Sequence, residues 1–447
     1  MFEIIVAMTK NRGIGLDNHL PWCCAEELKI FRDKTLGHIL VMGKNTISTL
    51  PRLNNRSIYC LRKNKNEPLN QTKNNVKIID LTDLQPEQNK IIFIAGGGEI
   101  YNFFLNNQKL CSQISKFHIS IMKNDYPCDT FISLDIKNLC VIEHKEYDEF
   151  NHYVMIPKKC EEYQYLDLLK NVLYNGSTKI GRNGETKSIF GHTLNFDLRY
   201  GFPLITTKKM FMRGIFEELM FFIRGQTDSK ILEKKQINIW KGNTSREFLD
   251  RNGFADRKEG VIGPMYGYQW RKYNAPYSDQ CDGKDTGRDQ LEKVINDIKN
   301  DPSSRRILMT SYNPEQASLG VLYPCHSIIL QFNVENEFLD MFCYNRSSDL
   351  FHGLPFNITS SSMLLYFIAK ICKLTPRKFM LSIGDAHIYK EHNDPVTIQI
   401  ERLPFQFPSI EIKKELNTIL DLEQLEYDDI LIQHYKSYEN LKTKMII

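Results

Sequence analysis

Of the eleven cysteines in the chain, one sits between a proline and a histidine, in LYPCHS at 322–327. Cys325 therefore has the setting of a loop nucleophile, whereas most lone cysteines are small buried hydrophobes. A free thiol is largely protonated at neutral pH, so this use of it requires cations nearby. DPSSRR (301–306) and YNRSS (344–348) can supply Arg305, Arg306 and Arg346, and a guanidinium also grips phosphate through its rigid fork. Glu218 lies in FEELMFF (216–222), a run so apolar that a carboxylate within it needs polar partners. Nearer the N-terminus, Gly96-Gly97-Gly98 follows an apolar strand and precedes a helix. Glycines there let the backbone approach a pyrophosphate, and the first N–H groups of the helix attract anions. The run is not the G-x-G-x-x-G dinucleotide signature, because Tyr101 stands where the third glycine would fall. Glu27 lies at the start of a helix just after Pro21-Trp22. A carboxylate so placed either complements the helix dipole, which explains its neighbour Glu26, or handles a proton.

The elements that must hold these groups fall into two textures. In residues 1–157 the apolar runs FEIIVAM (2–8), ILVMG (39–43), SIYCL (57–61), VKIID (76–80) and IIFIAG (91–96) read as strands. A helix over AEELKIFRDKTL (25–36) separates the first two. Apolar strands spaced by helices predict an α/β domain with a mixed, largely parallel twisted sheet and flanking helices. The Asn/Lys-rich stretch 62–75 reads as a surface loop. A polar patch, PKKCEE (157–162), precedes a new helix, YQYLDLLKNVL (163–173). That sets a first domain at 1–157, a short linker at 158–162 and a second domain at 163–447. The second domain carries longer helices, MRGIFEELMFFIRG (212–225) and NITSSSMLLYFIAKIC (357–372), and strands over 305–312, 327–335 and 337–345, an α+β pattern.

Composition narrows the class. A length of 447 residues suits about two to three domains, each able to bury a core. A hydrophobic fraction of 42% with 25% charged residues is ordinary for a soluble globular protein. A net charge of +4 is too mild to imply a nucleic acid or a membrane surface. There is no long basic run and no zinc motif, which argues against a nucleic-acid-binding regulator. An odd number of cysteines without C-x-x-C fits neither a disulfide framework nor a metal site, so a reducing compartment, the cytoplasm, is expected. The N-terminus lacks the basic and apolar regions of a secretion signal, and no apolar run is long enough to span a membrane.

Over 1–157 the chain resembles dihydrofolate reductase. The matching segments, in the family's order, are IVAMTKNRGIGLDNHLPW (5–22), AEELKIFRDKT (25–35), VMGKNT (41–46), RSIYCL (56–61), AGGGEIY (95–101) and CDTFI (128–132). The resemblance implies reduction of the C6=N5 bond of dihydrofolate with hydride from NADPH, and makes Glu27 the acid that orients the pterin. Arg56 would pair bidentately with the glutamate carboxylate of folate, with Arg52 beside it, and Phe31, Leu50 and Ser120 would line the folate pocket. NADPH would lie against Ala7, Ile14, Gly15, Lys44, Asn45, Thr46, Leu61, Arg62, Lys63, Gly96, Gly97, Gly98, Glu99, Ile100 and Tyr101. Of these, Lys44, Thr46, Arg62 and Lys63 would take its phosphates, and the Gly96–Gly97 peptide would be cis. Cys23-Cys24 after Pro-Trp departs from the family pattern.

Residues 161–447 resemble thymidylate synthase. The segments are SIFGHTLNFDLRYGFPLITTKK (188–209), FEELMFF (216–222), GPMYGYQW (263–270), DPSSRRILMTSYNP (301–314), LYPCHS (322–327), YNRSSDLFHGLPFNI (344–358) and GDAHIYKEH (384–392). This implies methylation of C5 of dUMP with 5,10-methylenetetrahydrofolate, begun by attack of the Cys325 thiolate at C6, with Arg346 as its activator. Arg182, Arg305, Arg306 and Arg346 would clamp the dUMP phosphate with Ser347, and His326 would adjoin the nucleotide. Asn357 would read uracil O4 and N3–H, where an aspartate would suit cytosine, as in the related dCMP hydroxymethylases. His387 and Tyr389 would hold the 3′-OH. Glu218 would be the general acid/base acting through water, and Tyr266 would assist proton removal from C5. Asp349 would touch the folate pterin, while Trp240 and Asn243 would shape the folate site. In this family the paired arginines come from the partner subunit, which implies a homodimer with shared active sites. Val261-Ile262 and the stretch 247–262 match loosely, and the tail KMII (444–447) resembles the terminus that closes over ligands. The two resemblances together imply coupled reactions, the second activity consuming a folate that the first regenerates, with no metal. A chain with one of its two domains inactive is the competing enzymatic reading.

Overall fold

The computed structural model describes residues 2–61, 76–81, 84, 90–181, 183–278, 287–444 and 446. The chain divides between Cys160 and Glu161 into two compact units.

The first unit is built on an eight-stranded sheet. Its spatial order is Val76–Ile79, Ser57–Leu61, Ile39–Met42, Ile92–Ile94, Phe2–Met8, Ile114–Met122, Phe150–Pro157 and Leu139–Glu146. The first six run parallel to one another, and Phe150–Pro157 is antiparallel to both strands flanking it. Ile39–Met42 is buried at every position, as a parallel strand covered on both faces must be. The five apolar runs all form strands, trimmed by one residue at ILVMG and VKIID and by three at IIFIAG. Three strands were not read from the sequence: Ile114–Met122, Leu139–Glu146 and Phe150–Pro157. Lys, His and Glu interrupt their apolar residues, because the last two form the sheet's antiparallel edge. Parallel pairing brings the C-terminal ends of Phe2–Met8, Ile39–Met42 and Ile92–Ile94 to one side, where ligands bind in open α/β sheets. Ala7, Lys44 and Gly96 occupy those ends.

The second unit holds a six-stranded sheet ordered Ser177–Gly181, Gly184–Asp197, Thr375–Tyr389, Phe338–Asp349, Ile329–Glu335 and Leu308–Thr310. Only Phe338–Asp349 and Thr375–Tyr389 pair in parallel. Two long strands, Gly184–Asp197 and Thr375–Tyr389, escaped the sequence reading because glycine, proline and charged residues break their apolar pattern. Leu308–Thr310 is shorter than the expected 305–312. Helix Met212–Ile223 is buried almost all round, which marks a core helix. Helix Gly353–Cys372 begins four residues before the expected 357, since Pro355 is tolerated in a first turn. It ends on Lys373 in the left-handed region at φ +57°. Among the described residues no helix is long and apolar enough to cross a membrane.

Candidate active sites

In the first unit Glu27 sits in the first turn of helix Ala25–Thr35 and is buried. Burial raises its carboxyl above the ordinary range, and the Ser120 hydroxyl opposes this. Strand register sets Ser120 directly beside Ala7. Phe31 and Leu50 pack against one apolar cluster that includes Ile5, Leu40 and Met42. Arg56 and Arg52 line an open basin with Asn54, Asn55 and Lys90. Arg56 Nε is buried without a hydrogen-bond partner among the described residues, and burial together with Arg32 holds its pKa below the usual arginine value. A carboxylate arriving there would meet an unpaired donor and relieve repulsion between two guanidiniums.

The glycine run is where the nucleotide expectation meets its geometry. The Gly96–Gly97 peptide is cis, as the resemblance implied. Gly97 caps helix Gly98–Asn106, and Gly43 caps helix Lys44–Thr49; neither end has a side-chain cap. Gly43 N–H donates to Gly96 O at 3.0 Å, which joins the two ends. A Cβ on Gly97 would fall 2.7 Å from Thr46 Oγ1, and one on Gly98 would fall 2.5 Å from Thr130 Cγ2 and 3.8 Å from Ile14 Cδ1. Thr46, Ile14 and the three glycines thus form one cradle. Gly15 lies on the adjoining Gly13–Gly15 strand, and Tyr101 anchors the cradle by donating to Ile5 O at 2.6 Å. Two adjoining helix N-termini without side-chain caps fit the diphosphate of NADPH. Lys44 and Asn45 are exposed at the second of them; Glu99 and Ile100 follow Gly98, and Leu61 closes its strand. Arg62 and Lys63 lie outside the described residues.

In the second unit Cys325, Tyr266, Glu218, Arg346 and His326 converge. Tyr266 Oη is 3.5 Å from Cys325 Sγ and accepts from Cys325 N at 3.3 Å. The His326 ring stacks on Tyr266 with centroids 4.2 Å apart. Burial lowers the pKa of His326 to about 4, so it is neutral at physiological pH and Arg346 is the cation beside the thiol. Arg346 Nε donates to Pro324 O at 3.1 Å, and Ser347 N donates to Cys325 O at 3.2 Å, so the 344–348 segment braces the nucleophile's loop. Burial pushes the Cys325 thiol up, while Tyr266 and Arg346 pull it down. Arg346 acts in the expected direction, but burial outweighs it, and the resting group is a thiol. Tyr266 adopts φ +40°, a sparsely populated conformation that costs about 1–3 kcal/mol. Gly267 follows because any side chain there would strike Phe222 O, 2.3 Å from an added Cβ.

Around this core the strands set the remaining groups. Parallel register puts Ser347 opposite Asp385 and Asp349 opposite His387. His387 Nδ1 is 2.9 Å from Asp385 Oδ1 and 3.5 Å from Ser347 Oγ, and its ring meets Tyr389 edge-on. Asn357 is buried on helix Gly353–Cys372, its Oδ1 accepting from Asn345 Nδ2 at 3.4 Å. Asn345 also accepts from Ser327 N at 2.9 Å and donates to Ser348 Oγ at 3.1 Å. It was passed over in the sequence although it adjoins Arg346, because a buried linking amide has no signature of its own. Lys208 was also passed over. It is buried, donates to Phe351 O and stacks over the Phe351 ring, and burial lowers its pKa to about 7 against the pull of Asp349. Trp22 Nε1 is buried without a partner among the described residues, a signal only the structure supplies. Asn243 lies half-buried in the turn after Trp240. Arg305 and Arg306 are exposed, and no contact among the described residues ties them to the Cys325 pocket. Arg182 lies outside the described residues. In the tail, Thr443 Oγ1 is 2.6 Å from His352 Nε2 and Lys444 O is 3.0 Å from His392 Nε2; Met445 and Ile447 lie outside the described residues. No cluster of three or more His, Cys, Asp or Glu among the described residues could hold a metal ion.

Glu218 receives a hydrogen bond from Trp240 Nε1 at 2.9 Å, yet burial carries its pKa to about 7 from an ordinary 4.5. A value that rises on folding leaves stability whole below about 4.5 and removes it as pH climbs through about 7. Glu218→Gln should therefore be more stable than its parent by on the order of 3 kcal/mol at pH 8 and equal to it near pH 4.5. Denaturant midpoints across that range check this; a constant difference would contradict it.

Comparison with known proteins gives two family matches: dihydrofolate reductase over residues 1–161 and thymidylate synthase over residues 163–447. The chain is 35% identical to a bifunctional dihydrofolate reductase-thymidylate synthase of Paramecium tetraurelia, over 100% of this chain and 99% of that protein. It is 35% identical to bifunctional dihydrofolate reductase-thymidylate synthase 2 of Arabidopsis thaliana, over 100% of this chain and 88% of that one. With the Plasmodium chabaudi relative of the same description the identity is 33%, covering 92% and 83%.

Proposed function

The chain belongs to the bifunctional dihydrofolate reductase–thymidylate synthase family, and from that premise we propose how its residues divide the work. It methylates dUMP to dTMP with 5,10-methylenetetrahydrofolate and reduces the resulting dihydrofolate to tetrahydrofolate with NADPH. In the synthase half the Cys325 thiol gives up its proton to solvent as Sγ adds to C6 of the uracil beside the Tyr266 hydroxyl, and Tyr266 then assists removal of the proton from C5. Arg346 stabilises the developing thiolate, and Glu218 exchanges a proton on the O4 side. Asn357 reads the base, His387 and Tyr389 hold the sugar, and Asp349, Trp240 and Asn243 face the folate. The dUMP phosphate takes Arg346, Ser347 and Arg182. In the reductase half Glu27 orients the pterin and holds the proton it needs, and Arg56, with Arg52, takes the glutamate tail. Bound NADPH supplies the hydride, and Gly96 to Gly98, Thr46, Lys44 and Ile14 would hold it. We place the domain boundary in the linker 158–162 and the protein in the cytoplasm; ten free cysteines among the described residues suit a reducing compartment.

The observation that carries this reading is the 3.5 Å approach of Tyr266 Oη to Cys325 Sγ beside Arg346. It is tested by incubating the protein with 5-fluoro-dUMP and 5,10-methylenetetrahydrofolate and mapping the adduct by mass spectrometry. The label should sit on Cys325; an unmodified sulfur rejects the assignment.

A homodimer completes the phosphate site in this proposal, with Arg305 and Arg306 supplied by the partner subunit. Their exposure supports it, as do the exposed apolar side chains Ile180, Phe190, Leu308 and Ile329 on the six-stranded sheet. Two inactive chains, Cys325→Ala and Arg306→Ala, should then rescue each other. Random mixing makes about half the dimers mixed, each with one intact site, which restores about a quarter of the parental dTMP rate. No recovery after subunit exchange would place the arginines in their own subunit's site.

A further inference from the structure

Behind Glu27 lies a second layer of buried polar groups that its role as an acid does not by itself require. Ser120 is buried on strand Ile114–Met122, and antiparallel register sets His152 of strand Phe150–Pro157 directly opposite it. Ser120 Oγ is 3.1 Å from His152 Nδ1, and Ser120 is the side chain that opposes the rise burial imposes on the Glu27 carboxyl. We propose that His152 is a positioning residue for the reductase: its Nδ1–H donates to Ser120 Oγ, which commits the Ser120 proton to the Glu27 carboxylate. The proposal rests on the reading of Glu27 as the acid of dihydrofolate reduction.

A neutral imidazole carries one N–H, and its place decides the direction of the whole chain. His152 Nε2 is buried with no partner among the described residues. An orphaned buried N–H is rarer and costlier than an unpartnered lone pair, so the proton belongs on Nδ1. Burial keeps the ring neutral, lowering its pKa to about 4, and His118, Lys34 and His144 around it act in the same direction. His118, stacked on His152 at 6.4 Å, repeats the arrangement: its Nε2 is 2.7 Å from Glu3 Oε2, and its Nδ1 has no partner among the described residues. On the other side, the groups facing Glu27 are Ser120, Tyr101 and the neighbouring Cys24. Tyr101 already spends its proton on Ile5 O, which leaves the Ser120 hydroxyl as the donor to the carboxylate. A hydroxyl that also accepts from His152 is polarised and donates more strongly. With the opposite tautomer, Ser120 would turn its proton to His152 and Glu27 would lose its donor. The two arrangements therefore shift the acidity of Glu27 in opposite directions when His152 is removed.

The test uses the full chain with His152→Phe and His152→Asn, following single-turnover dihydrofolate reduction against pH. His152→Phe should move the midpoint of the alkaline limb upward by about half to one pH unit, a roughly three- to ten-fold change in proton affinity. His152→Asn, whose amide nitrogen can occupy the Nδ1 position, should return it toward the parent. A rate lowered equally at every pH, with the midpoint unmoved, would show a merely structural role and overturn the proposal, and a downward move would overturn it too. If His152→Phe does not accumulate as folded protein, ¹⁵N spectra of the histidine-labelled parent decide the matter: Nδ1–H at His152 supports the proposal and Nε2–H rejects it. Failure here is distinct from failure of the underlying assignment. Full reductase activity in Glu27→Gln would sink the role of Glu27, whereas an unmoved midpoint alongside an inactive Glu27→Gln sinks only the role of His152.

Discussion

Cys325→Ala produces no dTMP, a loss of about 10⁴-fold or more, and reduces dihydrofolate at the parental rate. The size of the effect follows from the chemistry. C5 of uracil is a poor nucleophile, and only covalent addition at C6 turns it into an enolate carbon that can attack the one-carbon unit. The neighbouring thiol of Cys343 cannot substitute. Cys343, on the neighbouring strand, is buried and pushed up to about 12, and its Sγ is occupied against Asn345 Oδ1 at 3.6 Å. The surroundings of Cys325 also explain why its proton must leave as the carbon–sulfur bond forms. Burial favours the thiol, and Tyr266 and Arg346 oppose it without overcoming it. Charge on sulfur is thus stabilised chiefly when it develops, which is the condition for lowering a barrier rather than tightening a ground state. Assays of dTMP release and of NADPH oxidation on the same preparation check both halves of the expectation. Loss of both activities in a folded Cys325→Ala would break the division of labour.

How much of this was legible in the sequence depended on whether a signal was local. Five of the six parallel strands of the first unit were readable as apolar runs, as in Ile39–Met42, which is buried on both faces. Leu139–Glu146 and Thr375–Tyr389 were not, since an edge strand or one lining a polar site alternates or carries charge. Cys325, Asn357 and the glycine run were legible as candidates from their motifs. Asn345, Lys208 and His152 were illegible. Each acts through partners remote in sequence, His152 through Ser120 and Lys208 through Phe351, and a polar residue in a buried setting looks the same whether it supports a site or merely satisfies a core. The net acidity of Cys325 was illegible for a related reason: nearby cations can be inferred from sequence, whereas depth of burial cannot.

Glu27→Gln shows the converse division: dihydrofolate reduction falls about 10²–10⁴-fold while dTMP formation persists. The substitution keeps the shape and one acceptor of the side chain, so the pterin should still bind, and the loss should appear in the rate more than in KM. What disappears is the exchangeable proton. Burial holds the Glu27 carboxyl above the ordinary range, and the Ser120 hydroxyl restrains that rise. The parental rate therefore falls as pH rises through the displaced value, because the protonated fraction falls with it. In Glu27→Gln the residual rate should lose this limb, with no titrating group left in its place: Tyr101 is raised far above the range of the assay, and burial pushes the Cys24 thiol up as well. A pH profile that kept its midpoint after the substitution would assign the proton to another group. The synthase reaction is the internal control, since it yields dihydrofolate without using Glu27. Supplied with dUMP and 5,10-methylenetetrahydrofolate, this variant should accumulate dihydrofolate in step with dTMP, whereas its parent passes the folate on to tetrahydrofolate.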